Sequence, residues 1–375
     1  MDHFEIIKNN SDLLVEDKRI KKTIDDLGLK LANRSDVEAP NIERQEKGVE
    51  ANGPEFFNNQ FEKEGFKIVQ PMNIVDKKIK TLFVVSGVQI LDPIIHDNAE
   101  IVDQKIFIAQ PVIRTQFLPQ VQEGSLTSFV NLTANSVNKS YEEHVGTINK
   151  WLLILENLGF SREKFSAQVS RNKNLWDRRR FENDFMGIYY NSIEIGEASY
   201  IEKMPQDNRP PISISDVGFG VERMNFSLCG KTFDDYYKKE LPIKIIDSSR
   251  TLALLAGSGA KPGNNGQGYR VRLFSKNFVR ENMNVGAKAA DIFKLAYKQW
   301  SRWTKLPLSM QETLDILLPE YDRNFNREIL DFLHVNQVKI ELDINQSTDD
   351  FVIQLIKTGS VDKKLIDNIY KLYAK

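Results

Sequence analysis

The chain has 375 residues, of which 41% are hydrophobic and 27% charged, enough to bury a large core and to divide into two domains. With 51 Lys plus Arg against 52 Asp plus Glu the net charge is -1, so no overall basic field marks the chain for nucleic acid and any RNA contact must be local. A single cysteine, Cys229, excludes an internal disulfide framework and argues against a cysteine zinc site, while His3, His96, His144 and His334 lack metal-ligand spacing. The first residues carry no basic segment followed by an apolar one, and no run of about 18 apolar residues occurs. The expected setting is therefore a reducing cytoplasm, with no membrane partner.

In chain order, residues 4 to 32 read as helix, with Ile6, Ile7, Leu13, Leu14, Ile20, Ile24, Leu27 and Leu31 at loose helical spacing. Residues 33 to 54 read as a linker, so 1–53 is expected to be an N-terminal extension. From Pro54, Phe56, Phe57, Phe61 and Phe66 mark a helix capped by Gly65, followed by a short strand in FKIVQP. Thr81 to Val88 (TLFVVSGV) reads as a buried strand ending on a glycine. KIFIAQPVIRTQ reads as two β-type runs broken at Gln110 and Pro111 and leaving Arg114 at the exit, where it can point into a cleft. SLTSFVNLTAN is the returning strand of a long hairpin, and Tyr141 to Leu158 is an amphipathic helix closed by Gly159.

The basic run DRRRF at Asp177 to Phe181 suits either a solvated face or a phosphate contact. IYYNSIEIGEASYIE alternates as a strand and offers the carboxylates Glu194 and Glu197 for a solvated face, an amino group or Mg²⁺. In ISISDVGFGVER the alternation is expected to stop at Asp216, with Gly218 and Gly220 in a tight turn before a helix bearing Arg223. The glycines let a flat ring lie on bare backbone, and a guanidinium can stack on a purine while reaching a phosphate. Beyond this, residues 245 to 259 form an apolar run, and KPGNNGQGYRVR feeds a basic helix with Arg270, Arg272, Lys276 and Arg280. From Ala287 the pattern is helical, with one stripe running up to Pro319 and another at Phe325, Ile329, Phe332 and Leu333; Ser360 suits an N-cap.

Taken together, the strand ending in Arg114, the return through Phe129 and Asn135, and SDVGFGVER resemble motifs 2 and 3 of class II aminoacyl-tRNA synthetases. The order of LFVVSG, QPVIRT, SFVNLTANS, IEIGEA, SDVGFGVER and PGNNGQGYRVR is similar to the N-terminal half of the alanyl-tRNA synthetase family, from about Pro54 to near the C-terminus. That resemblance implies ATP and Mg²⁺ as cofactors. It places Arg114 on the α-phosphate, Phe129 and Arg223 around the adenine, and Gly218, Gly220 and Glu194 beside the nucleotide, with Mg²⁺ near Glu194. Asp216 would hold the amino acid's ammonium, with Glu197, Gly196 and Trp176 lining its side-chain pocket. Asn264, Tyr269 and Arg272 would meet the acceptor stem of a tRNA. The whole reading depends on Arg114 and Arg223 flanking one nucleotide-shaped hollow.

The sequence departs from the family in several places. The stretch from Arg114 to Phe129 is short and contains no Lys or His and no second Arg. Gly196 and Glu197 replace Trp-Asn, which predicts a wider, more acidic pocket. DSSR at Asp247 to Arg250 stands for Asp-His-Ile-Arg, and no editing or C-terminal domain is expected.

The fold expected is α+β. A class II synthetase-like antiparallel sheet flanked by helices spans 54–242, and an all-helical domain for acceptor recognition spans 243–375. The activity expected is formation of an aminoacyl adenylate and transfer to tRNA by a monomer or simple dimer. Two alternatives are transfer to a carrier protein or small metabolite, and an inactive tRNA-binding or regulatory paralogue.

Overall fold

The computed structural model describes residues 18–31, 49–76, 79–95, 102–122, 124–176, 179–203, 212–231 and 241–361. They divide into two compact units, one drawn from residues 1–72, 86–112 and 129–234 and the other from 73–85, 113–128 and 235–375. The division expected from the sequence is 1–53, 54–242 and 243–375, and the two compact units are interleaved along the chain. Residues 73–85 and 113–128, read as parts of the catalytic domain, belong to the helical unit.

In the first unit, in chain order, the elements are α1 (Lys18–Asp26), β1 (Lys30–Leu31), α2 (Gly53–Glu62), β2 (Lys67–Ile68), α3 (Asp92–Ile95), β3 (Gln104–Ile113), β4 (Ser128–Val137), α4 (Tyr141–Asn157), β5 (Phe165–Trp176), β6 (Arg179–Tyr190), β7 (Ile193–Lys203), β8 (Ile214–Gly220) and α5 (Val221–Cys229). The strands form one sheet in the order β1-β5-β6-β7-β8-β4-β3-β2. The expected antiparallel sheet is its centre, where β5, β6, β7, β8 and β4 run alternately. Two-residue parallel pairings, β1 with β5 and β2 with β3, make the whole sheet mixed. Asn191 and Ser192, both with positive φ, form the β6–β7 turn, the backbone that matches strand twist in a two-residue hairpin.

Three expectations are corrected here. TLFVVSGV buries Phe83 and Val84 but forms no strand; Val84 exchanges single backbone bonds with Ile74 and Ile113, and a 3-10 turn begins at Gly87. The two β-runs around Pro111 are one strand, β3. Proline is tolerated because β2 pairs only as far as Phe107, and the Gln110 carboxamide serves the neighbouring backbone instead, accepting from Met72 N at 2.8 Å and donating to Pro111 O at 2.7 Å. The N-terminal helix is no appendage in its described part. Ile20 and Ile24 are buried, and Arg19 pairs with Asp184 while lying 4.2 Å from the Tyr141 ring centroid.

Successive strand residues point to opposite faces, so one side of the sheet can be dry. On that side Phe61 of α2 stacks on Phe107 at 4.4 Å, Trp151 of α4 lies 4.7 Å from Phe219, and the Trp151 indole donates to Val217 O at 3.2 Å. His144 meets Ser215 Oγ at 2.7 Å, and burial lowers its pKa to about 3, leaving the ring neutral.

The second unit holds α6 (Ile243–Gly257), α7 (Gly266–Val285), α8 (Ala289–Ser301), α9 (Met310–Val335) and α10 (Thr348–Lys357). The stripes on either side of Pro319 belong to one helix, not two. α9 opens with a Ser309–Glu312 capping box and continues through the proline. A proline inside a helix costs about 3 kcal/mol. Burial of Leu314 and Leu317 before it and of Phe325, Ile329 and Leu333 after it, the last three packed with Phe351 and Leu355 of α10, offsets that cost. The expected cap at Ser360 leads into residues outside the described ones.

Within α6, Trp300 of α8 donates to Arg250 O at 2.7 Å and receives the Arg250 guanidinium over its ring at 4.3 Å. Asp247, 1% exposed, accepts Thr127 N at 2.6 Å. Burial raises its pKa to about 6, against the pull of Thr127 and Arg250. A raised folded-state pKa gives stability that is full below the unfolded value and disappears as pH rises through the folded one. Asp247→Asn should therefore gain on the wild type as pH rises from 4 to 7, by on the order of 3 kcal/mol. Urea unfolding of both proteins across that range, read as their difference, checks this.

Candidate functional site

The second face of the sheet is polar where β4, β8 and β7 run side by side. Paired residues form rows across the three strands: Val137, Ile214 and Ile201; then Asn135, Asp216 and Ser199; then Thr133, Gly218 and Glu197; then Asn131 and Gly220. The first row is apolar and is sealed by Val88, Leu91 and Ile94 from the 3-10 turn and α3. Moving along β8, the rows become polar and then lose their side chains at the two glycines. An apolar stop therefore closes one end and bare backbone opens the other.

β8 does not end at Asp216. It runs on to Gly220, and Val221 begins α5 directly, so Gly218 and Gly220 are strand residues rather than a turn. Neither has positive φ. At Gly218 an added Cβ would lie 3.0 Å from Asn131 Nδ2, whereas at Gly220 its nearest neighbour is the Phe129 ring at 3.7 Å. The Phe129 ring thus flanks the bare strand end where α5 starts.

Arg223 sits in the first turn of α5. Its Nη1 donates to Glu194 Oε2 at 3.0 Å and to Glu194 O at 3.3 Å. Both side chains are partly exposed, and such a pair contributes about 0–1 kcal/mol. A phosphate can compete for the guanidinium at little cost. Before it, Glu222 is buried and accepts Val130 N at 2.9 Å, just beyond the last residue of β4 that pairs with β8. That carboxylate extends the ladder by one bond and fixes the start of α5 beside Phe129.

Glu194 and Glu197 are three residues apart, which strict alternation would put on opposite faces. A register shift resolves this: Ile188 pairs with Gly196 and Tyr189 with Glu194, leaving Ile195 as the extra, buried residue of a bulge. Both carboxylates therefore share the polar face. Gly196, expected to widen the pocket, belongs to the other face. An added Cβ there would lie 2.4 Å from Phe219 Cδ1 and 2.6 Å from Gly218 O, so its smallness serves packing.

Of the residues singled out from the sequence, the structure gathers Phe129, Glu194, Glu197, Asp216, Gly218, Gly220 and Arg223 in the sheet unit. Trp176 is a strand residue whose side chain lies outside the described set, as do Asp177 and Arg178. Arg114, Asn264, Tyr269 and Arg272 belong to the helical unit. There Arg114 follows β3, its N donating to Thr127 O at 2.8 Å and its Nε to Val85 O at 2.9 Å. Arg272 bonds Asn264 and lies 3.9 Å from buried Glu320, while Tyr269 is exposed.

Sequence reading missed Glu222, for which there was no local signal. It also passed over Asn131 and Thr133 as a set with Asn135, although polar residues at alternate positions of an apolar strand announce a polar face. Among the described residues no cluster of three His, Cys, Asp or Glu could hold a metal, and no helix is long and apolar enough to cross a membrane.

No family model matches this sequence, and no curated protein matches it. Among solved structures, a pyrrolysyl-tRNA synthetase, PylSc of Desulfitobacterium hafniense, aligns with 50% of this chain and 71% of its own at 14% identity and a TM-score of 0.35.

Two outcomes follow from the packing. Gly196→Ala should destabilise the protein by about 1–3 kcal/mol through overpacking against Phe219, seen in urea unfolding. Glu222→Ala should cost about 1–3 kcal/mol by stranding the buried Val130 N–H, and faster hydrogen exchange at Val130 would locate the loss.

Proposed function

We propose that this protein activates an amino acid with ATP. In the first step a substrate carboxylate oxygen bonds to the α-phosphorus, the bond to the bridging oxygen breaks, and pyrophosphate leaves. In the second step a nucleophile on the acceptor attacks the acyl carbon of the aminoacyl adenylate and AMP departs. The observation that carries this reading is the polar face of the antiparallel sheet, with a buried carboxylate, Asp216, in line with two bare glycines and then an aromatic ring and a guanidinium. It is reinforced by the sequence resemblance to class II synthetases.

On this reading Asp216 holds the α-ammonium and Gly220 leaves room for the adenine against Phe129. Arg223 closes over the base and reaches toward the phosphates, released from Glu194. Arg114 is the candidate cation for charge developing on the α-phosphorus, on the strength of its motif. Glu194 and Glu197, two hard oxygen donors on one face, fit Mg²⁺ carried chiefly by phosphates rather than a protein-only cage. The ion would neutralise the pyrophosphate leaving group.

The acceptor we favour is a tRNA end, because exposed Tyr269, with Arg270 5.8 Å from its ring centroid, presents an aromatic and cationic pair at the start of α7. A small-molecule or carrier-protein acceptor is favoured by the stretch 115–128. Its described residues include a 3-10 turn over Thr115–Gln120 and a bridge between Gln122 and Ser125, and its sequence supplies no cation.

ATP–pyrophosphate exchange with each amino acid tests the proposal. Exchange should occur with at least one, and Arg223→Ala and Arg114→Ala should each lower it about 10²-fold or more. Absence of exchange with every amino acid would instead favour a regulatory binder.

A further inference from the structure

Along the polar face, the side chains of β4 are not equally provided for. Asn131 Oδ1 accepts from Gly87 N at 2.9 Å and from Thr133 Oγ1 at 2.9 Å, so these two residues are served by the chain itself. An added Cβ on Gly87 would fall 2.5 Å from Thr133 Oγ1, which shows how closely that turn is fitted to them. One step further along the strand, Asn135 is 0% exposed, and neither its Oδ1 nor its Nδ2 has a hydrogen-bond partner in the protein. Buried amides are nearly always paired, and one with both ends unmet is the exception that needs a reason.

Its position supplies one. Asn135 is the cross-strand partner of Asp216, and Ser199 is the partner of Asp216 on the other side. Directly paired residues have Cβ atoms about 4.5–5.5 Å apart. A ligand whose ammonium lies on Asp216 therefore brings its own Cβ substituent within reach of the Asn135 carboxamide.

We propose that Asn135 is the specificity residue of the amino acid site and that it selects a neutral side chain able to donate and accept hydrogen bonds at once, a hydroxyl or a carboxamide. This rests on the adenylation reading for its chemistry but not for its binding test. A carboxamide offers two donors and one acceptor. A carboxylate side chain would leave Oδ1 facing an acceptor and would lie beside Asp216 and Glu197. A cationic side chain would leave Nδ2 facing donors. An apolar one, alanine included, would leave both ends dry. Sites built to hydrogen-bond a substrate reject analogues that lack the group far more strongly than apolar pockets reject a missing methylene.

The test measures binding and exchange separately on the full chain. Serine, threonine, asparagine, glutamine, alanine, valine, aspartate and lysine are titrated by calorimetry against wild type, Asn135→Ala and the nearly isosteric Asn135→Asp. The ATP–pyrophosphate exchange rate is measured for the same set. At least one hydroxyl or carboxamide amino acid should bind wild type ten times or more tighter than alanine or valine. That ratio should collapse about tenfold in both variants. Because the ratio is taken within one protein, a general loss of stability does not produce it.

Preference for an apolar or charged amino acid, no binding of any amino acid in the set, or an unchanged ratio in both variants would overturn the proposal. Selective binding without exchange would sustain it while removing the adenylation reading.

Discussion

The structure depends on a division of labour between the two faces of one antiparallel sheet. Water must be excluded from one side for the strands to hold together. Phe61, Phe107, Trp151 and Phe219 do this as an aromatic stack under α2 and α4. With hydrophobic burial concentrated there, the opposite side is free to carry Asp216, Asn135 and Glu197 and to lose side chains at Gly218 and Gly220. Few strands could bear such a loss if their other face were not so well packed. The candidate site is therefore a property of the whole sheet rather than of any one loop.

Two local devices turn that face into an arrangement. The bulge at Ile195 changes the phase of β7 by one residue and moves Glu194 onto the side already occupied by Glu197. Glu222 adds a hydrogen bond where the β4–β8 ladder stops, so α5 starts at a defined place and Arg223 projects from its first turn beside Phe129 and Glu194. Each is a small departure from regular structure. Each places a charge that regular structure would have put elsewhere.

The helical unit shows the same economy with buried charge. Arg250 is almost fully covered, yet its guanidinium lies on the face of Trp300 and its carbonyl receives the indole N–H. In α9, Glu320 is 5% exposed and takes Asn324 Nδ2 at 2.9 Å and Arg323 at 3.2 Å, with Arg272 at 3.9 Å. A carboxylate in that position is tolerable because several donors converge on it. It also ties α7, which carries Tyr269 and Arg272, to α9.

The sequence by itself determined which segments are strand or helix wherever one period ran uninterrupted: SFVNLTANSV, Tyr141 to Asn157, and the helices after Ala287. It also singled out Gly218, Gly220 and Arg223 by their spacing, while Phe129 and Asp216 entered as site candidates through the resemblance to class II synthetases. What it misjudged were points where a neighbour distant in the chain decides the outcome. Pro111 stays in a strand because Gln110 and Met72 serve each other. Gly196 belongs to the packed face because of Phe219, and Glu194 to the polar face because of an extra residue opposite β6. Local pattern encodes period and composition. Register, bulges and the identity of the atom across the strand arise only when the sheet closes, and it is these that assigned each residue its face.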